Sequence, residues 1–274
     1  MPLAKWRLLL SGSAEGPYNM ALDEAILQCV GEQISPPTLR LYTWDPPCLS
    51  LGFSQPITDI DLPALEANGW QLCRRPTGGR AILHTDELTY AVIGPIDDPL
   101  LQGGVLESYR RIAAALQNTL SGLGLDARAD KEYDLPAEVS KNGAVCFEAP
   151  SNYEITVQGK KIFGSAQARK AYSVLQHGSL PLYGDLTRIT TAVRHPDKAS
   201  RKIAAERLLA HAATVEMLLG EKITWQKAAE TFVKAFQATL NIQLQPGSLS
   251  EEETQRASKL LKEKHASHSW LAKI

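Results

Sequence analysis

The sequence predicts an α+β protein, a sheet-rich body followed by a helical C-terminal region. Two observations carry this. Short strand candidates recur from Lys5 to Leu182, one of them with Tyr153, Ile155 and Val157 alternating on one face, the period-two mark of a half-buried strand. From about residue 197 the pattern changes to helical periodicity over 199–219, 224–240 and 250–264. The expected division is a catalytic-sized body over 1–220 and a helical extension packed on it over 221–274. No internal repeat and no low-complexity segment interrupts either part.

Composition narrows the class. Hydrophobic residues make up 44% of the 274 residues, enough to bury a full core, and the formal net charge of −1 gives no global basic field for nucleic acid. No stretch of about eighteen apolar residues predicts a membrane span. The start, MPLAKWRLLLSGSAEGP, has only three consecutive leucines, too few for a signal-peptide core. The four cysteines, at 29, 48, 73 and 146, lack Cys-x-x-Cys spacing, which argues against a zinc site and against a disulfide framework. A cytoplasmic protein with reduced thiols is expected, monomeric, with no membrane partner, no metal and no cofactor.

Residues 5–10 form the first strand candidate. In Asn19–Val30, Leu22, Ala25, Ile26, Cys29 and Val30 make an apolar helical stripe, with Asn19 as N-cap, Asp23 and Glu24 off the stripe, and Gly31 at the end. Thr38–Trp44 and Cys48–Gly52 read as strands, 58–69 as a short helix, and Trp70–Arg75 as a strand; Cys29, Cys48 and Cys73 read as core. Arg74-Arg75-Pro76-Thr77-Gly78-Gly79-Arg80 then reads as a Gly-Gly turn between two strands, rimmed by three arginines. Unhindered glycine amides and guanidinium groups suit an anionic or carbonyl-bearing ligand; an ordinary hairpin with solvated arginines is the plainer reading. Neither phosphate-binding glycine motif is present. Glu87–Ile93 continues the sheet, and Val105–Leu120 is an amphipathic helix ending near Gly122 and Gly124. Ala129–Asn142 is polar and irregular, a mobile loop by composition.

The stretch from Asn142 to Leu182 draws most attention. Cys146 sits among Gly, Ala, Asn, Pro and Ser, a loop composition. A strand with Tyr153, Ile155 and Val157 on one face leads through Gln158-Gly159, a tight turn, to a second run carrying Lys161. Gly164-Ser165-Ala166-Gln167 allows close approach to the backbone. The separation, 161 − 146 = 15 residues, permits thiol and ammonium to meet; a lysine beside the thiol favours thiolate and activates the nucleophile. Ser173–Leu182 is a further strand holding His177, whose plainer reading is structural.

Several of these segments together resemble the lipoate–protein ligase A and octanoyltransferase superfamily, related to biotin–protein ligases. They are Tyr18-Asn19-Met20-Ala21-Leu22-Asp23-Glu24, the run from Arg74 to Ala81, His84 with Glu87-Leu88-Thr89-Tyr90, and Gly159-Lys160-Lys161-Ile162-Phe163-Gly164-Ser165-Ala166-Gln167. The likeness runs from about Lys5 to Trp270. It departs from the ATP-using ligases, which usually carry a third glycine where Arg80 stands and a longer accessory domain. Ala144-Val145-Cys146-Phe147-Glu148-Ala149-Pro150-Ser151 is instead similar to the cysteine-dependent octanoyltransferases, as are Leu175–Leu182 and the closing Lys262–Trp270.

The resemblance implies a biotin/lipoate protein ligase-like catalytic domain of mixed sheets flanked by helices. It implies transfer of an octanoyl group from acyl carrier protein to a lysine of a lipoyl domain, such as the glycine-cleavage H protein. It makes Cys146 the nucleophile and Lys161 the group that lowers its pKa or holds the acyl carbonyl. Arg74, Arg75, Gly78, Gly79, His84, Gly164, Ser165 and Ala166 are then the substrate-binding residues. Backbone amides near Gly78-Gly79 or Gly164-Ser165 are candidates for an oxyanion hole. Arg194, Lys198, Arg201 and Lys202 form the basic cluster best placed to steer an acidic carrier. Competing readings are an ATP-dependent lipoate–protein ligase, octanoyl or lipoyl transfer between carrier domains, and a non-catalytic sensor of acylated carriers.

Overall fold

The computed structural model describes residues 3–130, 145 and 154–273. The elements in chain order are β1 (Ala4–Ala14), α1 (Gly16–Gly31), β2 (Thr38–Trp44), β3 (Cys48–Leu51), α2 (Leu62–Ala67), β4 (Gln71–Arg74), β5 (Ile82–His84), β6 (Glu87–Pro95), α3 (Val105–Gly122) and β7 (Ala127–Asp130). After them come β8 (Glu154–Val157), β9 (Lys160–Lys161), β10 (Gly164–Arg169), β11 (Ser173–Pro181), α4 (Lys198–His211), α5 (Val215–Leu219), α6 (Trp225–Leu240), β12 (Ile242–Pro246), α7 (Glu251–Leu260) and α8 (His268–Leu271). Among the described residues no helix is long and apolar enough to cross a membrane.

The main sheet has the order β10-β11-β6-β2-β1-β12. Its alternation separates two cores. On β6, Leu88, Tyr90 and Val92 join Ile112 and Leu116 of α3 and Phe232 and Phe236 of α6; Ala91 and Ile93 turn the other way, onto Met20, Leu22 and Ile26 of α1. A second sheet, β4-β3-β5, builds a third core of Leu49, Leu51 and Ile82 with Ile60, Ile189 and Leu208. The third sheet, β7-β8-β9, turns through Gln158 (φ 52°) and Gly159 (φ 74°), the left-handed pair a two-residue hairpin requires.

Three sequence expectations change here. Helix α1 starts at Gly16 rather than Asn19, with Pro17 in its first turn, where a fixed φ and a missing N–H cost nothing. Asp23 and Glu24 therefore lie in the helix interior and are buried. Asn19 does not cap the helix: its Nδ2 donates to Ala14 O (3.1 Å) and Thr43 O (3.0 Å), tying the ends of β1 and β2 to the helix. The strands flanking Gly78-Gly79 are not a hairpin, because β3 lies between them, parallel to β4 and antiparallel to β5.

The third change is at the C-terminal end, read as helical, which also supplies a strand. Ile242–Pro246 pairs in parallel with Ala4–Leu8 of β1, Pro246 falling at the end of the ladder. Ser250 and Glu253 form a capping box at the start of α7. Beyond α7, Lys264 Nζ donates to both oxygens of Glu24 (2.7 Å each), and His265 Nε2 meets the same carboxylate at 2.8 Å. Burial alone would raise the Glu24 pKa; the bonds from His265 and Lys264 outweigh it and bring it down to about 2.

Candidate active site

A cavity of about 380 Å³ lies where the N-terminal half of α1, the second sheet and the edge of the main sheet meet. Strand registry explains its floor. Tyr42, Thr89, Ser179 and Gly164 stand opposite one another across β2, β6, β11 and β10, and Arg40, Ala91, His177 and Ala166 make the next row. On the edge strand these two rows end in Gly164 and Ala166, so no large side chain fills the space above β10. Met20, Trp44 and Ile82 give the walls an apolar surface.

Polar groups around the cavity are held by buried networks. His84 stacks on Trp44, with ring centroids 4.0 Å apart. Its Nδ1 lies 2.7 Å from Glu87 Oε1, and its Nε2 lies 2.7 Å from Ser50 Oγ. A carboxylate only accepts, so Nδ1 carries a proton toward Glu87. His177 repeats the arrangement, with Nδ1 3.3 Å from Asp23 Oδ2 and Nε2 2.6 Å from Thr77 Oγ1. Burial pushes the His177 pKa down, which keeps the ring neutral. Asp23 also accepts from Arg40 Nη1 (2.6 Å) and the Tyr42 hydroxyl (2.8 Å). Burial would raise its pKa, but the Arg40 charge and the His177 bond prevail and hold the carboxyl below its usual range. Trp44 Nε1 donates to Thr89 Oγ1 (2.8 Å), and Thr89 donates to Glu87.

The structure gathers most of the sequence-derived site residues but separates some. Arg75, Gly79, His84, Gly164, Ser165 and Ala166 all line this cavity. Arg75 Nη1 donates to Ser50 O and Ser50 Oγ (2.8 Å each), and its Nη2 to the carbonyls of Gly78 (2.9 Å) and Arg80 (3.0 Å), so the side chain also braces its own loop. Arg74 points away from the cavity lining. It donates to the carbonyls of Gly52, Phe53 and Gln55 and, from Nε and Nη2, to those of Trp270 and Leu271. Trp270 Nε1 returns a bond to Arg74 O (3.1 Å). Arg74 thus ties the C-terminal turn to the loop after β3.

Lys161 is buried on β9, three residues before Gly164, and its Nζ lies 2.8 Å from Glu154 Oε1. Cys146 lies outside the described residues, as does the polar segment before it, 131–144. Its described neighbour Val145 is buried, forms a bridge with Ala81, and lines a second cavity of about 460 Å³. Ile82, next to Ala81, borders both cavities.

Sequence reading missed Met20, Tyr42, Trp44, Thr89 and Ser179 as cavity residues and gave His177 a structural role. The i, i+2 relation of His177 and Ser179 on one strand was the available signal. It also missed Gly52. A Cβ there would lie 1.9 Å from Gly79 O, so the two loops touch backbone to backbone. Gly52→Ala is therefore expected to displace the Gly78-Gly79 loop by more than an ångström and lower turnover about 100-fold, the penalty typical of such misplacement. Steady-state kinetics beside a thermal melt check this; full activity would show that the loop yields.

Among solved structures, a bipartite lipoate protein ligase from Thermoplasma acidophilum, described with its E2 lipoyl domain, superposes with a TM-score of 0.82 at 25% identity, over 99% of this chain and 98% of that one. A lipoate-protein ligase A bound with ATP gives 0.78 at 26% identity, over 98% of each chain. The octanoyltransferase LipM of Symbiobacterium thermophilum is 39% identical over 268 residues, 97% of each chain, and that of Bacillus subtilis 38% over 273 residues, again 97% of each. The model of the lipoyl protein ligase A/B catalytic domain matches residues 15–237, and the chain belongs to that family.

Proposed function

We propose that this protein is an octanoyltransferase of protein lipoylation, moving an octanoyl group from acyl carrier protein to a lysine of a lipoyl domain through a thioester on Cys146. The observation that carries the reading is the end-to-end match to octanoyltransferases, over 97% of each chain. The apolar cavity floored by Gly164 and Ala166 suits a saturated acyl tail. The donor is already a thioester, so exchange onto a thiolate is nearly neutral in free energy and needs no ATP. The amine of the acceptor lysine then takes the acyl group.

Cys146 directly follows Val145, which is fixed at Ala81 beside the wall shared by both cavities. Lys161, held by Glu154, is a buried cation three residues from the cavity floor, where it favours thiolate over thiol. Arg74 and Gly78 act on the loop rather than on the acyl group. The basic side chains of Arg194, Lys198, Arg201 and Lys202 are exposed at and just before the start of α4, and give an acidic carrier a steering surface.

The test is incubation with octanoyl–acyl carrier protein and a lipoyl domain, without ATP, followed by intact-mass analysis. An octanoyl adduct on the enzyme and then on the lipoyl domain is expected. Modification that requires free octanoate or lipoate together with ATP would replace this reading with a ligase. An octanoyl- or lipoyl-domain donor outperforming the acyl carrier would make the enzyme a domain-to-domain transferase.

A further inference from the structure

Ser179 is fully buried, lines the 380 Å³ cavity, and has a hydroxyl without a hydrogen-bond partner. The other polar side chains of the lining are engaged. Tyr42 donates to Asp23, Trp44 to Thr89, and Thr89 to Glu87; both nitrogens of His84 and of His177 are occupied. Ser165 Oγ is 2.8 Å from the Tyr90 hydroxyl, and Arg75 braces its loop. Registry explains why Ser179 is left over. Its neighbour across β10 is Gly164, with no side chain, and across β6 it is Thr89, whose oxygen already serves Trp44 and Glu87. A buried donor lining a cavity and left unpaired while the other polar side chains of that lining are paired points to a ligand acceptor.

We infer that Ser179 Oγ–H donates to the carbonyl oxygen of the bound acyl thioester and to the oxyanion it becomes, making Ser179 a catalytic residue of the transfer. This rests on the octanoyltransferase reading. A saturated acyl thioester has one strong acceptor, its carbonyl oxygen, and the rest of the chain suits Met20, Trp44 and Ile82. In the transfer step a neutral amine nitrogen adds to the carbonyl carbon, forming C–N, and the C=O pair moves onto oxygen, where Ser179 meets it. The pair then returns, C–S breaks, and the thiolate leaves, taking up the surplus amine proton as a thiol. The bond to Ser179 strengthens as charge builds on oxygen, so it acts on the transition state more than on the ground state.

The experiment compares wild type with Ser179→Ala in the full chain. Measurements are steady-state transfer from octanoyl-pantetheine to a lipoyl domain, inhibition by S-octyl-pantetheine, a thioether without the carbonyl, and thermal melting. A fall in kcat of about 100-fold is expected, with KM and the thioether inhibition constant changed less than about twofold. The melting temperature should hold or rise, because the variant removes an unsatisfied buried hydroxyl. Unchanged kcat would overturn the inference. So would KM and the thioether constant rising together at constant kcat, which would put the hydroxyl on the tail, or a clear drop in melting temperature, which would make its role structural. Wild-type turnover with the octanoyl donor reads the underlying function separately: its absence would sink the functional reading itself.

Discussion

Cys146→Ala is expected to lose the octanoyl adduct and to lower transfer by about 10³-fold or more, the scale seen when a covalent nucleophile is removed. A thiolate is far more nucleophilic than a lysine amine that is almost wholly protonated at neutral pH. The wild-type adduct should map to the peptide containing Cys146 and be released by hydroxylamine, as a thioester is. The variant should still fold, because Val145 is anchored by its own bridge to Ala81 and its burial in the third core. An alanine variant transferring at the wild-type rate would mean direct attack of the acceptor lysine on the carrier thioester, and the covalent step would be abandoned.

Asp23→Asn is expected to be the most damaging single change for stability. Arg40 and Asp23 are both fully buried, and the substitution leaves the guanidinium without its counter-charge. Breaking such a pair from one side costs about 3–5 kcal/mol, a large share of the roughly 5–15 kcal/mol that hold a domain together. A fall in melting temperature on the order of 10 °C follows for a chain of this size. Arg40→Met in the Asp23→Asn background should recover part of it, since the uncompensated charge is then gone. The pair also has a pH signature. Its Asp23 pKa lies below the ordinary 3.8, so its contribution is complete above that pH and lost only as pH falls through the lower folded value. A melt of Asp23→Asn within a degree of wild type would show that Arg40 finds compensation from Asn19, whose Oδ1 already accepts from Nη2 at 2.6 Å.

How much of this was legible beforehand differs by element. β6 and β11 could be read because strands buried on both faces are short runs rich in apolar residues, and α6 because one apolar stripe packs against α3 and the main sheet. The start of α1 was misread because Gly16-Pro17 looks like a break, whereas Pro17 is in the one turn that tolerates it. Strand β12 was invisible because Gln245-Pro246-Gly247 has turn composition; only β1 makes it a strand. Placing β3 between β4 and β5 is likewise a non-local choice that the Gly-Gly loop does not encode. Within the site, motif spacing reached His84 and Gly164 to Ala166, whereas Lys161 is not among the residues lining the cavity. Motif spacing could not tell Arg75, which lines the cavity, from Arg74, which holds backbone. Nor could it find Ser179, since a missing partner emerges only once every neighbour's hydrogen bonds are counted.

The pairing of β12 with β1 has a consequence for how the chain is made. A ribosome delivers β1 first and β12 more than two hundred residues later. Throughout that interval β1 is an open sheet margin of Trp6, Leu8 and Leu9 carrying unpaired amides, the kind of edge that recruits other chains. Closure therefore waits for the final stretch to emerge. Products stalled or clipped before Ile242 should accumulate as aggregates.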